Sequence, residues 1–233
     1  MSLGGNQVDA RLNEVKNRII EAADKSDRNP TEVKLIAVSK TRTIEEIDKL
    51  NDLGFSDFGE NRVQELERKI GMRPDYKWHM IGSLQSNKVK YIIDKVELIH
   101  SLDRKSLAKE LDKRAKMDDL IINTLVQVNV SGENSKSGMS PNKVMDFFEF
   151  LSTKSNINVV GLMTMAPYTK DELVLRKVFS GLRKIRDKVN NNFYGTDKLI
   201  HLSMGMSNDF EIAIEEGSTM VRIGSAIFGE YNY

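Results

Sequence analysis

The sequence predicts an α/β protein built as a single (β/α)8 barrel, the TIM-barrel architecture, with one extra helix at its N-terminus. Short apolar runs of strand length alternate with longer amphipathic and charged segments along the chain. Eight such runs can be counted, and eight parallel strands joined by helices close a sheet into a barrel. The 233 residues also match the usual length of an α/β barrel that folds as one domain, so we predict a single domain over residues 1–233.

The predicted strands are each of strand length, and several are rich in β-branched residues. They span residues 34–40, 57–60, 77–82, 98–102, 123–130, 159–165, 200–205 and 220–224. The second is short, so an open Rossmann-like sheet is the alternative to a closed barrel. No G-x-G-x-x-G motif follows a strand to support that alternative.

The segments between the strands have the spacing of amphipathic helices. One carries apolar residues at Ile44, Ile47, Leu50 and Leu53, and another at Val174, Val178, Leu182, Ile185 and Val189. A further helix is predicted over about residues 8–23, before the first strand. Residues 1–5 have the composition of a tag-like tail and are not assigned to the barrel.

Composition excludes several classes of function. Lysine and arginine number 35 and aspartate and glutamate 34, so the net charge of +1 favours neither nucleic acid nor an acidic membrane surface as a partner. The absence of cysteine rules out disulfides and thiol catalysis and fits a cytoplasmic protein. No apolar run approaches the roughly 18 residues of a membrane span. His79, His100 and His201 lack metal-ligand spacing, so we predict no metal site and expect them in the barrel interior or at strand ends.

Lys40 is the first candidate for chemistry, because the active site of such a barrel lies at the C-terminal ends of its strands. The two-residue period of a strand puts Ile36, Val38 and Lys40 on one face. If that face is the barrel interior, partial desolvation disfavours the charged ammonium and favours a nucleophilic amine. The alternative is that Lys40 caps the strand and extends into water.

The loops after the last two predicted strands form a candidate anion site. Asn208 and Glu211 have the three-residue spacing of a capping box, which predicts a helix start whose free amides attract a phosphate. Gly224 lets a ligand approach the backbone, and Ser225 adds a hydroxyl donor. Barrels often bind phosphate at these two loops, although ordinary turn chemistry also explains such residues.

Arg222 falls inside the last predicted strand. A guanidinium in that position is costly unless it is paired. One interpretation is a salt bridge within the barrel to an acidic residue such as Glu60. The other is that Arg222 contacts a ligand.

A set of short motifs runs through most of the chain, from about Leu35 to Phe228. They are residues 37–41 (AVSKT), 58–61 (FGEN), 63–65 (VQE), 78–79 (WH), 81–82 (IG), 84–88 (LQSNK), 133–138 (ENSKSG), 161–163 (GLM), 203–207 (SMGMS) and 217–224 (GSTMVRIG). Together these motifs resemble the pyridoxal phosphate homeostasis protein family (YggS/PROSC-type). The family implies a cytosolic barrel related to the N-terminal domain of alanine racemase.

The resemblance also implies a cofactor, pyridoxal 5′-phosphate (PLP), and a role for each candidate residue. Lys40 carries PLP as a Schiff base, and Arg222 faces the pyridine nitrogen. The positions expected to bind the phosphate are Ser203, Ser207, Gly224 and Ser225. Asn61 and Met163, at the ends of the second and sixth predicted strands, complete the expected cofactor site, and Lys136 matches a lysine used in moving the cofactor.

We expect this chain to carry and buffer PLP with little or no catalysis, so no catalytic residue is assigned. Arginine can only donate a hydrogen bond, so Arg222 should leave the pyridine unprotonated and its electron sink weak. The second base of alanine racemase comes from an additional β domain, for which we expect no room after the last strand. The expected partners are PLP and PLP-dependent apo-enzymes, and the expected oligomeric state is a monomer. The alternatives are a PLP-dependent amino-acid racemase and a colourless Schiff-base aldolase acting on a sugar phosphate.

Overall fold

The structure, a computed structural model, describes residues 5–133 and 136–230. Eight parallel strands close into a barrel in chain order, and the first strand pairs with the last. The strands are β1 (Lys34–Val38), β2 (Asp57–Glu60), β3 (Lys77–Met80), β4 (Leu98–Leu102), β5 (Ile122–Gln127), β6 (Ile157–Met163), β7 (His201–Ser203) and β8 (Met220–Ile223). The eight predicted strands and the barrel are therefore confirmed.

The short second strand is a full member of the barrel. Phe58 of β2 pairs with Ala37 of β1, and Asp57 pairs with Lys77 of β3. The open Rossmann-like alternative is wrong for this chain, because the strand in question has hydrogen-bonded neighbours on both sides.

Helices surround the barrel and connect its strands. They are α1 (Gly5–Asp24), α2 (Ile44–Asn51), α3 (Val63–Met72), α4 (Lys105–Met117), α5 (Val144–Leu151), α6 (Glu172–Val189), α7 (Phe210–Glu215) and α8 (Ser225–Phe228). Short 3-10 turns lie at Pro30–Glu32, Ser86–Tyr91 and Pro141–Lys143, and a π-helical turn lies at Asn190–Tyr194. Within the described ranges, no helix combines the length and the apolar character that crossing a membrane requires.

The extra N-terminal helix is confirmed as α1. It begins at Gly5, so Gly5 belongs to the helix and not to the expected tail, and residues 1–4 of that tail lie outside the described residues. Leu12, Val15 and Ile19 recur at helical spacing and are buried. The helix lies against α7 and α8, and therefore covers the last two β/α units.

Alternate residues of each strand face the barrel interior and the surrounding helices. The interior contains an apolar cluster of Ile36, Leu98, Leu125, Met163 and Met220. The residues next to these along the strands, such as Ala37 and Val221, belong to the larger core between strands and helices. The position of Ile36 confirms that the predicted face of β1 is the interior one.

Candidate functional site

Lys40 lies in a turn immediately after β1. The strand ends at Val38, two residues earlier than predicted, and the N–H of Arg42 donates to the carbonyl of Ser39 at 3.0 Å. Lys40 and Thr41 are the central residues of this turn, and Thr41 has a φ of 65°. That conformation is unfavourable for a β-branched residue and is found where the surroundings enforce it, often at functional sites. The turn, rather than strand alternation, therefore presents Lys40.

Three buried polar groups hold the turn in place. The Ser39 hydroxyl donates to Glu60 Oε1 at 2.7 Å, and the Ser39 carbonyl accepts from Lys69 Nζ at 2.8 Å. Lys69 and Glu60 form an ion pair at 2.7 Å with both side chains fully buried. Burial raises the pKa of Glu60, although the charge and hydrogen bond of Lys69 oppose the shift. The salt bridge between Glu60 and Arg222 considered from the sequence is wrong, because Glu60 is paired with Lys69 of α3.

Lys40 is exposed and lines a cavity beside the C-terminal ends of β1 and β2. The cavity has a volume of about 990 Å³, and Asn61 and Ser225 line it together with Lys40. The structure therefore brings these candidate residues together. It does not show the desolvation expected for Lys40, because the side chain leaves the barrel in a turn and stands in an open cavity.

Ser207 connects the loops that follow β7 and β8. Its hydroxyl oxygen accepts from the N–H of Gly224 at 3.3 Å and from the N–H of Ala226 at 3.4 Å. A Cβ on Gly224 would lie 3.2 Å from the carbonyl oxygen of Val38 and 3.3 Å from its Cβ. The glycine therefore permits close packing of this loop against the end of β1, and this packing places the two amides beside the Lys40 turn.

The capping box expected at Asn208 and Glu211 is wrong. Helix α7 begins at Phe210 and follows Asp209, whose carboxylate accepts from the Met206 N–H at 2.6 Å. Glu211 instead forms an ion pair with Arg18 of α1, which the fold brings next to it. The loop depends on Gly205, which has a φ of 95° and where a Cβ would meet Ala213 Cβ at 2.7 Å.

Arg222 is buried inside the barrel, with 4% of its surface exposed. Its Nη1 donates to the Ser203 hydroxyl at 2.6 Å, and its Nη2 donates to the Thr164 carbonyl at 3.0 Å. Burial lowers the pKa of Arg222 to about 10, with the charge of Asp209 opposing, so the guanidinium stays protonated at neutral pH. The Ser203 hydroxyl is thus engaged by Arg222, whereas Ser207 contacts the Gly224 and Ala226 amides.

Sequence reasoning missed the histidines as part of the site. The two ring nitrogens His79 Nδ1 and His100 Nε2 lie 3.2 Å apart, and His100 Nδ1 lies 2.9 Å from the Ser203 hydroxyl. Both histidines are buried in the barrel interior, which confirms their expected place. The signal available from sequence is their inward position on β3 and β4, but nothing local indicates which groups they meet. The described residues contain no cluster suited to hold a metal ion.

The buried His100 should make stability depend on pH. Burial, with the charge of nearby Arg222, lowers the pKa of His100 well below 6.5. Below about pH 6.5 the unfolded chain binds a proton at His100 that the folded chain does not bind. The free energy of unfolding therefore decreases by about 1.4 kcal/mol for each unit by which the pH is lowered. We expect His100→Asn to reduce the slope of the unfolding free energy against pH by the contribution of one bound proton between about pH 6.5 and 5. Urea unfolding measures this, and an unchanged slope would contradict it.

The other two candidates lie apart from the Lys40 cavity. Met163 belongs to the apolar interior cluster. Lys136 bonds to the Ala166 carbonyl, pairs with Glu133 at 2.7 Å, and lines a separate cavity of about 200 Å³ with Asp209. Residues 134–135 of its motif lie outside the described residues.

Comparisons with known proteins place this geometry in a family context. The family model of the alanine racemase N-terminal domain matches residues 11–232. A pyridoxal phosphate homeostasis protein of Aquifex aeolicus is 45% identical over 225 residues, which cover 96% of this chain and 98% of the relative. The similarity therefore spans essentially the whole of both chains.

Solved structures give the same result. A crystal structure of an unknown protein from Bifidobacterium adolescentis has a TM-score of 0.88 and 36% identity, with 98% of each chain covered. PipY of Synechococcus elongatus, in a structure with PLP bound, has a TM-score of 0.79 and 32% identity over 91% of this chain and 100% of PipY. An alanine racemase of Clostridium difficile has a TM-score of 0.76 at 16% identity and is covered over 58% of its length, a likeness that shows the fold alone.

Proposed function

This chain belongs to the pyridoxal phosphate homeostasis protein family, and from that premise we propose that it holds PLP as a Schiff base on Lys40 and acts as an intracellular carrier and buffer of PLP. The observation that carries the proposal is the strained turn that presents the Lys40 amine in a cavity shared with Asn61 and Ser225. The PLP bound to PipY and the name of the Aquifex relative support the choice of cofactor.

The donor set fits the chemical groups of PLP. An aldehyde requires an amine, which Lys40 supplies, and a phosphate dianion requires N–H and O–H donors. The amides of Gly224 and Ala226 both point at the Ser207 hydroxyl over long distances of 3.3 and 3.4 Å, and hydrogen bonds of this length are weak. We propose that these amides, with Ser207 and Ser225, bind the phosphate. Ser203 is reassigned from the phosphate to Arg222, because its hydroxyl already binds that guanidinium.

The remaining residues explain why holding PLP is favoured over fast catalysis. Lys40 Nζ would hold the aldehyde carbon of bound PLP. When bound, PLP supplies an electron sink whose strength the protein sets at the pyridine nitrogen. We propose that Arg222 donates a hydrogen bond to that nitrogen, and because a guanidinium cannot accept one, the nitrogen stays unprotonated and the sink stays weak. The relatives are named as homeostasis proteins rather than enzymes.

Delivery of the cofactor completes the proposal. We propose that PLP-dependent apo-enzymes receive the cofactor and that the carrier is a monomer in the cytoplasm. We also propose that Lys136 is a second lysine that helps to move PLP. Lys136 lies beside Asp209 in the smaller cavity, within the loops that surround the barrel mouth. We propose that Asn61 contacts the cofactor from the side of the cavity and that Met163 contacts it from the barrel interior.

Borohydride reduction tests the proposed function directly. Purified protein loaded with PLP should be yellow, and reduction should fix the mass of the cofactor on the peptide that contains Lys40. Incubation with pyridoxal, which lacks the phosphate, should give much weaker retention and serves as the control. Cofactor mass on another lysine, or on no peptide, would refute the assignment.

A racemase-like activity is the second candidate, favoured by the match to the alanine racemase N-terminal domain. It predicts interconversion of D- and L-alanine or serine above the rate of free PLP. We expect no such turnover by the loaded protein, and a rate clearly above that background would displace the carrier proposal.

A further inference from the structure

A continuous line of polar groups, which starts at the half-buried Asp57 and is otherwise buried, crosses the barrel interior to reach Arg222. Asp57 Oδ1 lies 3.1 Å from His79 Nε2, and His79 Nδ1 lies 3.2 Å from His100 Nε2. His100 Nδ1 lies 2.9 Å from the Ser203 hydroxyl, which in turn lies 2.6 Å from Arg222 Nη1. The line begins near the N-terminal ends of the strands, where Asp57 starts β2, and ends on β8 near the mouth.

Each end of this line can play only one role in hydrogen bonding, either donor or acceptor. A guanidinium has five N–H donors and no acceptor, whereas an ionised carboxylate only accepts. Asp57 is ionised at neutral pH: burial raises its pKa, but the hydrogen bond from His79 and the charge of Lys34, 3.2 Å away, lower it further, and the net shift is downward. The line therefore runs from a group that must donate to a group that must accept.

With these ends fixed, one arrangement lets every group in the line, including the Ser203 hydroxyl, make its hydrogen bond. Arg222 donates to Ser203, so the Ser203 hydroxyl hydrogen is free to donate to His100 Nδ1. His100 then donates from Nε2 to His79 Nδ1, and His79 donates from Nε2 to Asp57. In this arrangement both imidazoles carry their hydrogen on Nε2. The reverse direction would place N–H donors on both sides of Ser203 and leave its own hydrogen without an acceptor in the line.

We propose that Asp57, His79 and His100 are positioning residues for Arg222. They turn the hydroxyl hydrogen of Ser203 away from the guanidinium, so that the Ser203 oxygen accepts from Arg222. Together with the Thr164 carbonyl at 3.0 Å, this fixes the guanidinium in one orientation. The part of the inference that concerns the pyridine nitrogen rests on the proposed function, whereas the direction of the line does not.

The first test uses the protein without cofactor. Nitrogen-15 NMR of labelled histidine should show His79 and His100 as neutral Nε2–H tautomers. Asp57→Leu removes the acceptor for His79 Nε2–H, so at least one histidine should become a tautomer mixture. Ser203→Ala removes the donor to His100 Nδ1 and should affect His100 first. Lys34→Met, which removes a charge beside Asp57 and leaves the acceptor, is the matched control and should change neither tautomer.

An Nδ1–H tautomer or an imidazolium at either position in the unmodified protein would overturn the inference. Wild-type tautomers in Asp57→Leu would also overturn it, because the carboxylate would then not set the direction. Ser203→Ala keeps the test decisive if Asp57→Leu fails to fold, since unchanged His100 nitrogen resonances in Ser203→Ala would be just as damaging.

The second test uses protein loaded with PLP labelled with nitrogen-15 in the ring. We expect Asp57→Leu to shift the ring-nitrogen resonance and to speed PLP release about tenfold, the size expected for a weakened hydrogen bond to a charged group, while borohydride still fixes PLP on Lys40. A normal loaded wild type with unchanged shift and release in Asp57→Leu would overturn the positioning role. Absence of PLP from wild-type Lys40 would instead overturn the proposed function. The histidine tautomers would then still test the direction of the hydrogen bonds in the line.

Discussion

Replacing Lys40 with alanine is expected to abolish the Schiff-base absorbance of the PLP-loaded protein completely and to leave the fold intact. The loss should be complete because no other described lysine stands in the cavity with Asn61 and Ser225. The fold should survive because Lys40 is exposed, and exposed substitutions usually change stability by less than about 0.5 kcal/mol. Absorbance spectra before and after borohydride, with urea unfolding, measure both outcomes.

Two control variants separate the amine from its charge. Lys40→Arg keeps a cation, but a guanidinium stays protonated and does not form the imine, so this variant should also lose the absorbance. Lys109→Ala removes an exposed lysine of α4 and should retain it. Residual absorbance in Lys40→Ala would contradict the assignment, and a collapsed fold would indicate a structural role for Lys40.

The second large effect is expected at the buried pair behind the Lys40 turn. We expect Lys69→Met to lower the free energy of unfolding by about 3–5 kcal/mol, because it leaves the Glu60 carboxylate buried without its cation. Glu60 and Lys69 are fully buried, and Glu60 Oε2 has no hydrogen-bond partner in the described structure. The Ser39 carbonyl also loses its bond from Lys69, so the turn that presents Lys40 should loosen and PLP retention should weaken.

The matched control and the double variant make this expectation decisive. Arg68→Met removes an exposed ion pair with Glu65 from the same helix and should cost at most about 1 kcal/mol. Glu60→Leu combined with Lys69→Met should recover much of the lost stability, since an apolar pair often replaces a buried ion pair without loss. Urea unfolding of the wild type, Glu60→Leu, Lys69→Met and the double variant completes the cycle, and a Lys69→Met cost no larger than that of Arg68→Met would contradict the pairing.

The fold of this chain is largely readable from local pattern. Alternation within strands and 3.6-residue spacing within helices concern neighbours in sequence, which is why α1 and the eight strands could be predicted and are present. The predictions failed where a residue distant in sequence competed with a local interaction. The capping box at Asn208 and Glu211 failed because Arg18, far away in the chain, binds Glu211. The strand predicted through Lys40 ends at Val38 because Ser39 is held by groups from β2 and α3.

The site divides in the same way. Amino-acid order alone identifies Lys40, Ser207, Gly224, Ser225 and Arg222 as residues at strand ends or in a terminal strand, and their family motifs point to PLP. Only barrel closure decides that Arg222 meets Ser203, that His100 meets a serine 103 positions later in the chain, and that Glu60 pairs with Lys69. Strand periodicity states which side chains turn inward, but which of them touch depends on the register and circular order of all eight strands, and no local stretch of sequence contains that information.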